Sequence, residues 1–241
     1  MPLYFFCHMK PTVSIITVNL NDAKGLEKTI LSVIEQGNYC YEFIVIDGAS
    51  TDGSIEVIEK YKSGIHKHIS EPDTGIFNAM NKGIRMAEGD YCYFLNANDV
   101  FADKAVLASV FLGKSYSEPF ICGHQLNDYG DHVGRVSTKN RPLSLSDFYW
   151  GTIKHQATFI RRDLFDKYGL YDESLKITAD WKFFLETIGL HNEQPVFVDV
   201  DIVRFAWFGI STDQKYMTLH DVERKKVIAE LIPESMQQDY E

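Results

Sequence analysis

Four short stretches of this 241-residue chain gather carboxylates and amides at spacings that suit work on a phosphorylated, hydroxyl-rich substrate. Asn96-Ala97-Asn98-Asp99 offers hard oxygen ligands of the kind that hold Mg²⁺ or Mn²⁺ across two phosphates; the same residues also make an Asx-rich turn. In 47–53, Asp47 can accept from a nucleobase N–H or a ribose hydroxyl, or the stretch can be a strand-to-helix turn in which Asp52 caps. The run 71–83 contains Asn78 and Asn81, poor helix formers that could bind hydroxyls or hold loops. In Thr178-Ala179-Asp180-Trp181, an acid opens a helix. It could deprotonate a hydroxyl nucleophile, or only complement the helix macrodipole.

These groups must be positioned by the elements around them. Residues 13–18 and 43–46 are short, β-branched or aromatic apolar runs that end at Asn19 and Asp47, as buried strands do. Between them Leu26, Ile30 and Ile34 recur every four residues, and Asn21 or Asp22 is placed to cap that helix. A second helix with Ile55, Ile58 and Tyr61 follows the turn. The stretch 66–70 predicts a third strand, 76–87 a helix ended by Gly89, and 91–95 a fourth strand running into Asn96. Strand–helix alternation of this kind predicts a largely parallel sheet with right-handed crossovers. Asn19, Asp47 and Asp99 then share the carboxyl edge of the sheet, where ligands bind in such folds.

Beyond residue 115 the pattern changes. A hairpin is predicted over 120–126 and 132–136, a helix over 180–190 with Trp181, Phe184, Leu185 and Ile188 on its apolar face, strands over 196–200 and 202–208, and a terminal helix over 221–231. Neither an internal repeat nor a linker interrupts the chain. The expectation is one α/β domain in two halves, a Rossmann-like one (12–112) and a second (113–214), with a leader (1–11) and a C-terminal helix and tail (215–241).

The net charge of −10 excludes a phosphate-backbone binder, so nucleic acid is not an expected partner. An acidic protein still binds a polyphosphate when a divalent cation lies between them. The four cysteines form no CxxC pair, which argues against a zinc site, and Cys92 falls in a core strand. Residues 1–8 lack the basic leader and cleavage site of a signal peptide, and no apolar run reaches membrane-spanning length. A cytoplasmic location is expected. Arg224-Lys225-Lys226 can be a solvated basic face or a peripheral contact with the inner face of the cell membrane. Trp150, Trp181 and Trp207 are expected in the core, with stacking on sugar rings as the alternative.

Taken in order, the motifs resemble those of family 2 glycosyltransferases of the GT-A fold, similar to bacterial enzymes of capsule, exopolysaccharide and O-antigen synthesis. The matching stretches are 13–19, 47–53, 71–83, 94–99 and 179–181, with 155–159 and 208–211 also familial. The resemblance implies that Thr17 and Asn19 line the nucleotide cleft, and that Asp47 lies near the base or ribose. It places Asp73, Gly75, Asn78 and Asn98 around the nucleotide-sugar. It gives Asp99 the metal, Mg²⁺ or Mn²⁺, and makes Asp180 the catalytic base of an inverting transfer. His155 contacts acceptor or phosphate, or is a satisfied core histidine. The implied partners are a nucleotide-sugar donor, UDP-linked by preference, and a sugar or lipid-linked sugar acceptor. Sugar, acceptor and oligomeric state are set by features outside these motifs.

Two positions depart from the family pattern. Gly48 stands where a second acid often follows the first. The metal motif, usually Asp-x-Asp, keeps a single carboxylate. A non-catalytic nucleotide-sugar-binding or scaffold protein is therefore a second reading. A sugar-phosphate nucleotidylyltransferase ranks lower, because no glycine-rich basic loop follows the first strand. A dinucleotide-dependent oxidoreductase fails for want of GxGxxG.

Overall fold

The unbroken apolar runs in the first half are explained by helices on both faces of the sheet. In β1 (Val13–Asn19), Ile15 points into one core and Ile16 into the other. The chain is described here from a computed structural model covering residues 12–37, 39–138, 140–207 and 214–239. After β1 come α1 (Ala23–Ile34), β2 (Tyr41–Asp47), α2 (Ser54–Lys60), β3 (Lys67–Ser70), α3 (Ile76–Met86) and β4 (Tyr91–Phe94). The second half contributes β5 (Val100–Phe101), α4 (Val106–Phe111), β6 (Phe120–Asp128), β7 (Val133–Val136), α5 (Leu145–Trp150), β8 (Thr158–Arg161), α6 (Asp163–Tyr168), α7 (Ala179–Phe184), β9 (Val196–Ala206), α8 (Met217–Leu231) and α9 (Glu234–Gln237).

The strands form one mixed sheet in the order β3-β2-β1-β4-β8-β6-β9-β5, with β7 paired to β6. β1 to β4 are mutually parallel. β8 runs antiparallel to both β4 and β6, and so joins the two halves into a single sheet. One core packs α1, α2 and α4 against the sheet through Leu26, Ile30, Ile58 and Leu107. The other packs α3, α5, α6, α7 and α8 through Phe77, Phe148, Leu164, Trp181 and Val227.

Asp22, one of the two residues expected to cap α1, does so by accepting from the Gly25 amide. Gly83 lets α3 lie directly on β1, since a Cβ there would come within 2.4 Å of the Ile16 side chain. Other expectations are corrected. Gly89 does not end α3: the helix stops when Ala87 turns extended, and Gly89 instead fits beneath β1, donating its amide to Ser14 Oγ. The two strands expected over 196–208 are one, because Asp201 stays in the strand with its side chain outward on Arg135. The helix at 180–190 widens into a π-helical turn over Leu185–Leu190. Trp150 is 70% exposed rather than in the core. The leader 1–11 and the familial stretch 208–211 lie outside the described residues.

Candidate active site

β1 and β2 end in register, Asn19 beside Asp47. Asn19 Nδ2 donates to Asp47 Oδ1 at 2.8 Å, and also to Ser54 Oγ and Ser50 Oγ. Asp47 further accepts from the Ser50 amide and hydroxyl and from Ser70 Oγ. Burial pushes this carboxyl upward, but its donors outweigh that and hold it below the usual range. Asp47 is thus the internal brace of the 47–53 turn, enclosed from solvent. Asn19 Oδ1 is buried without a partner among the described residues. Thr17 is also wholly buried, and its hydroxyl donates to Leu95 O at 2.7 Å. In this conformation it ties β1 to the end of β4 and presents no surface to a cleft.

The loop into α3 brings Asp73 beside Gly48. A Cβ on that glycine would lie 3.0 Å from Asp73 Oδ2. Lys82 Nζ is 2.6 Å from Asp73 and 2.9 Å from Glu71, so an ion-paired cluster borders the turn. Gly75 caps α3 at φ 154°, a backbone state that side chains rarely adopt. Asn78 and Asn81 are loop holders: Asn78 donates to Glu173, and Asn81 donates to Glu173 and bonds reciprocally with the Tyr171 backbone.

After β4, the turn Asn96–Asp99 is closed by an Asp99 N–H to Asn96 O bond, with Asn98 at φ 76°. Asn98 Oδ1 accepts from Lys28 Nζ. Asp99 is 4% exposed, and its Oδ1 accepts from the Ala206 amide at 2.9 Å. Burial pushes its carboxyl up to about 7, the one opposing influence being that amide. Asn96 Oδ1 is buried and unpartnered among the described residues. A carboxylate and an orphaned amide oxygen in one turn are hard donors that fit a divalent cation drawing its other ligands from phosphate and water. Among the described residues no cluster of three His, Cys, Asp or Glu side chains completes such a site alone.

Asp180 is the second residue of α7, with its side chain 27% exposed. Its Oδ2 is 3.9 Å from Nδ1 of His155, and His155 Nε2 is 2.9 Å from the Tyr171 hydroxyl. Of the two readings of His155, its deep burial fits the core one. Its ring packs 4.9 Å from Phe94, the last residue of β4. Contact between rings thus joins the strand leading to Asp99 with the helix carrying Asp180. Burial lowers the pKa of His155, with Asp180 pulling the other way. Burial also raises Tyr171 well above its ordinary value, so its hydroxyl keeps its proton.

Sequence reasoning missed Tyr171, Glu173 and Glu223, and read Arg224 as a solvated basic face or a membrane contact. Arg224 is not part of a solvated basic face. It donates to Phe148 O and Tyr149 O, and its guanidinium lies 4.3 Å from the centre of the Trp181 ring system. A signal existed for Glu223: in sequence it interrupts the four-residue apolar spacing Leu219, Val227, Leu231, of which Val227 and Leu231 pack on the core.

The glycosyl transferase family 2 model matches residues 14–169. An uncharacterised glycosyltransferase of Mycobacterium tuberculosis is 37% identical over 183 residues, covering 73% of this chain and 68% of that protein. A PGL/p-HBAD biosynthesis glycosyltransferase of Mycobacterium bovis is 30% identical over 190 residues, covering 72% and 68%. Among solved structures, Staphylococcus aureus TarS 1–349 in complex with UDP-GlcNAc superposes with a TM-score of 0.70 at 18% identity, covering 96% of this chain and 70% of that one. The longer TarS structure is spanned over 43% of its length. The Pyrobaculum calidifontis mannosyltransferase bound to GDP-Man and Mn²⁺ gives 0.67 at 17% identity, covering 93% and 65%. Among the described residues, no helix is long and apolar enough to cross a membrane. The sheet order, the carboxyl-edge constellation and the family match over well more than half of its length agree that this chain belongs to glycosyl transferase family 2 and has the GT-A fold.

Proposed function

We propose that the protein is an inverting glycosyltransferase that moves a sugar from a nucleotide-sugar to an acceptor hydroxyl, in the synthesis of a bacterial surface polysaccharide or glycolipid. The observation that carries this reading is the link from Asp99 through β4 and Phe94 to His155 and Asp180, which joins a phosphate-side carboxylate to a base-side one. The nucleotide would lie over the 47–53 turn. There Asp73, beside Gly48, supplies a carboxylate where the family often has its second acid. Gly75, Asn78 and Asn98 border the donor, and Asn19 and Thr17 act from beneath by fixing the edge.

Asp180 would accept the proton of the acceptor hydroxyl as that oxygen bonds to the anomeric carbon from the face opposite the nucleotide. The bond from the anomeric carbon to the phosphate oxygen breaks as the new one forms, and the nucleoside diphosphate leaves with that electron pair. Neutral His155, held by Tyr171, walls Asp180 on its buried side. Asp99 with Asn96 would hold Mg²⁺ or Mn²⁺, which when bound supplies Lewis-acid stabilisation of the departing diphosphate. On the acceptor side, exposed Trp150 offers an aromatic face of the kind that stacks on sugar rings. The family and the nucleotide complexes of the structural neighbours support the donor class, and the name of the Mycobacterium bovis relative supports a biosynthetic role; a cytoplasmic site of action, peripheral to the membrane, belongs to the same reading.

A thermal-shift screen with UDP-, GDP- and dTDP-linked sugars, with and without Mn²⁺, tests it. A ligand at 100 times its dissociation constant stabilises the native state by about 2.7 kcal/mol. The expected result is a rise for one nucleotide class in the presence of Mn²⁺, followed by slow release of the nucleoside diphosphate. Binding without any turnover would favour the non-catalytic reading. No binding to any donor would overturn both.

A further inference from the structure

Asp180 and α8 both lie beyond the segment matched by the family model, and two consecutive residues of α8 hold the residues on either side of Asp180. Glu223 is buried. Its Oε1 accepts from the Lys176 amide at 2.7 Å, and its Oε2 accepts from the amides of Ile177 and Thr178 at 3.1 Å and from the Thr178 hydroxyl at 3.0 Å. Thr178 is the N-cap residue of α7, but its side chain bonds no amide of its own helix. A carboxylate from α8 thus organises the turn entering α7, where its charge also complements the helix dipole. On the other side of Asp180, Trp181 is held at its face and its edge: Arg224 lies over its rings, and its Nε1 donates to the same Phe148 carbonyl that Arg224 engages. Glu223 therefore fixes the backbone just before Asp180, and Arg224 the residue just after it.

We propose that Glu223 is a positioning residue that sets the carboxylate of Asp180 against the acceptor, so that the C-terminal helix is part of the catalytic apparatus. This rests on the reading of Asp180 as the base. Buried side chains normally satisfy helix ends locally. Here four donors converge on one distant carboxylate, and the catalytic candidate sits two residues beyond the last of them. A displacement of an ångström at a reacting group costs on the order of 10²-fold in rate.

The test compares Glu223→Gln, Thr178→Val and Asp180→Asn with the wild type. One readout is release of nucleoside diphosphate from UDP-glucose, UDP-N-acetylglucosamine and GDP-mannose with Mn²⁺ and water as acceptor. The other is the NMR signal of the His155 ring, which senses the Asp180 charge 3.9 Å away whether or not a donor is turned over. Glu223→Gln should lower kcat roughly ten- to hundredfold with KM for the donor unchanged, and should move the His155 signal in the same sense as Asp180→Asn. Thr178→Val, which keeps the three amide donors, should shift both readouts by less; it serves alone if Glu223→Gln does not fold. In the Asp180→Asn background Glu223→Gln should add nothing to the remaining loss.

An unmoved His155 signal in folded Glu223→Gln, or in Thr178→Val where that variant is used alone, overturns the proposal. So does an equal loss with and without Asp180. Wild-type turnover by Asp180→Asn would instead remove the base reading itself, and with it the catalytic purpose assigned to Glu223.

Discussion

His155 stands between a phenol and a carboxylate: its Nε2 is 2.9 Å from the Tyr171 hydroxyl and its Nδ1 is 3.9 Å from Asp180 Oδ2. The second distance is too long for a hydrogen bond, so Asp180 has no hydrogen bond to the imidazole, and its side chain stays 27% exposed.

The burial of His155 gives a pH signature. Its native pKa lies below the ordinary 6.5, so the unfolded ring binds a proton more readily than the native one. Stability from this residue is intact above about pH 6.5 and is lost as the pH falls toward the native pKa. The wild type should therefore lose more Tm between about pH 7 and pH 5 than His155→Gln does. Thermal melts across that range check it; parallel profiles would mean that the ring is not held neutral.

Asp180→Asn keeps the shape of the residue and removes the carboxylate proposed as the base. Transfer should fall by about 10² to 10⁴, while donor affinity is retained. Single-turnover rates and donor titrations separate the two effects. Full activity would show that some other group takes the proton.

Asp99→Ala should weaken Mn²⁺-dependent donor binding by at least about tenfold and leave the metal-free affinity unchanged. Titration calorimetry with and without Mn²⁺ reads both. Superimposable curves for variant and wild type would remove Asp99 from the phosphate side of the site.

Thr17→Val separates bracing from contact. The hydroxyl is buried on Leu95 O, so its loss should cost about 1–2 kcal/mol of stability and leave donor affinity unchanged. Urea unfolding and donor titration are the two measurements. A marked loss of affinity in a stable variant would put the hydroxyl in the cleft.

Much of the first half was legible because its signals are local. Strands covered on both faces read as continuous apolar runs, and parallel strands ending in register bring Asn19 and Asp47 together by topology alone. The helix around Asp180 was readable from the spacing of Trp181, Phe184, Leu185 and Ile188. The second half was harder, because its contacts join distant segments: β8 sits between β4 and β6, and β9 absorbs Asp201 without a break. Trp150 looked like core because it is apolar, yet it is held outward at the end of α5 while Arg224 clamps the backbone on either side of it.

The sequence by itself determined the family, the α/β alternation, and the residue types at each strand end, since these depend on local periodicity and on motif order. Only the tertiary structure decided which polar groups are already satisfied. Asp47 and Thr17 are consumed inside the scaffold, whereas Asp99 is buried with, among the described residues, only the Ala206 amide on its carboxylate, and Asp180 stays partly open. It also brought Glu223 to the turn before Asp180 across 45 to 47 residues of chain. The physical reason is that hydrogen-bond satisfaction and burial depend on which distant segments meet, and four-residue spacing along α8 does not encode what its inner face will touch.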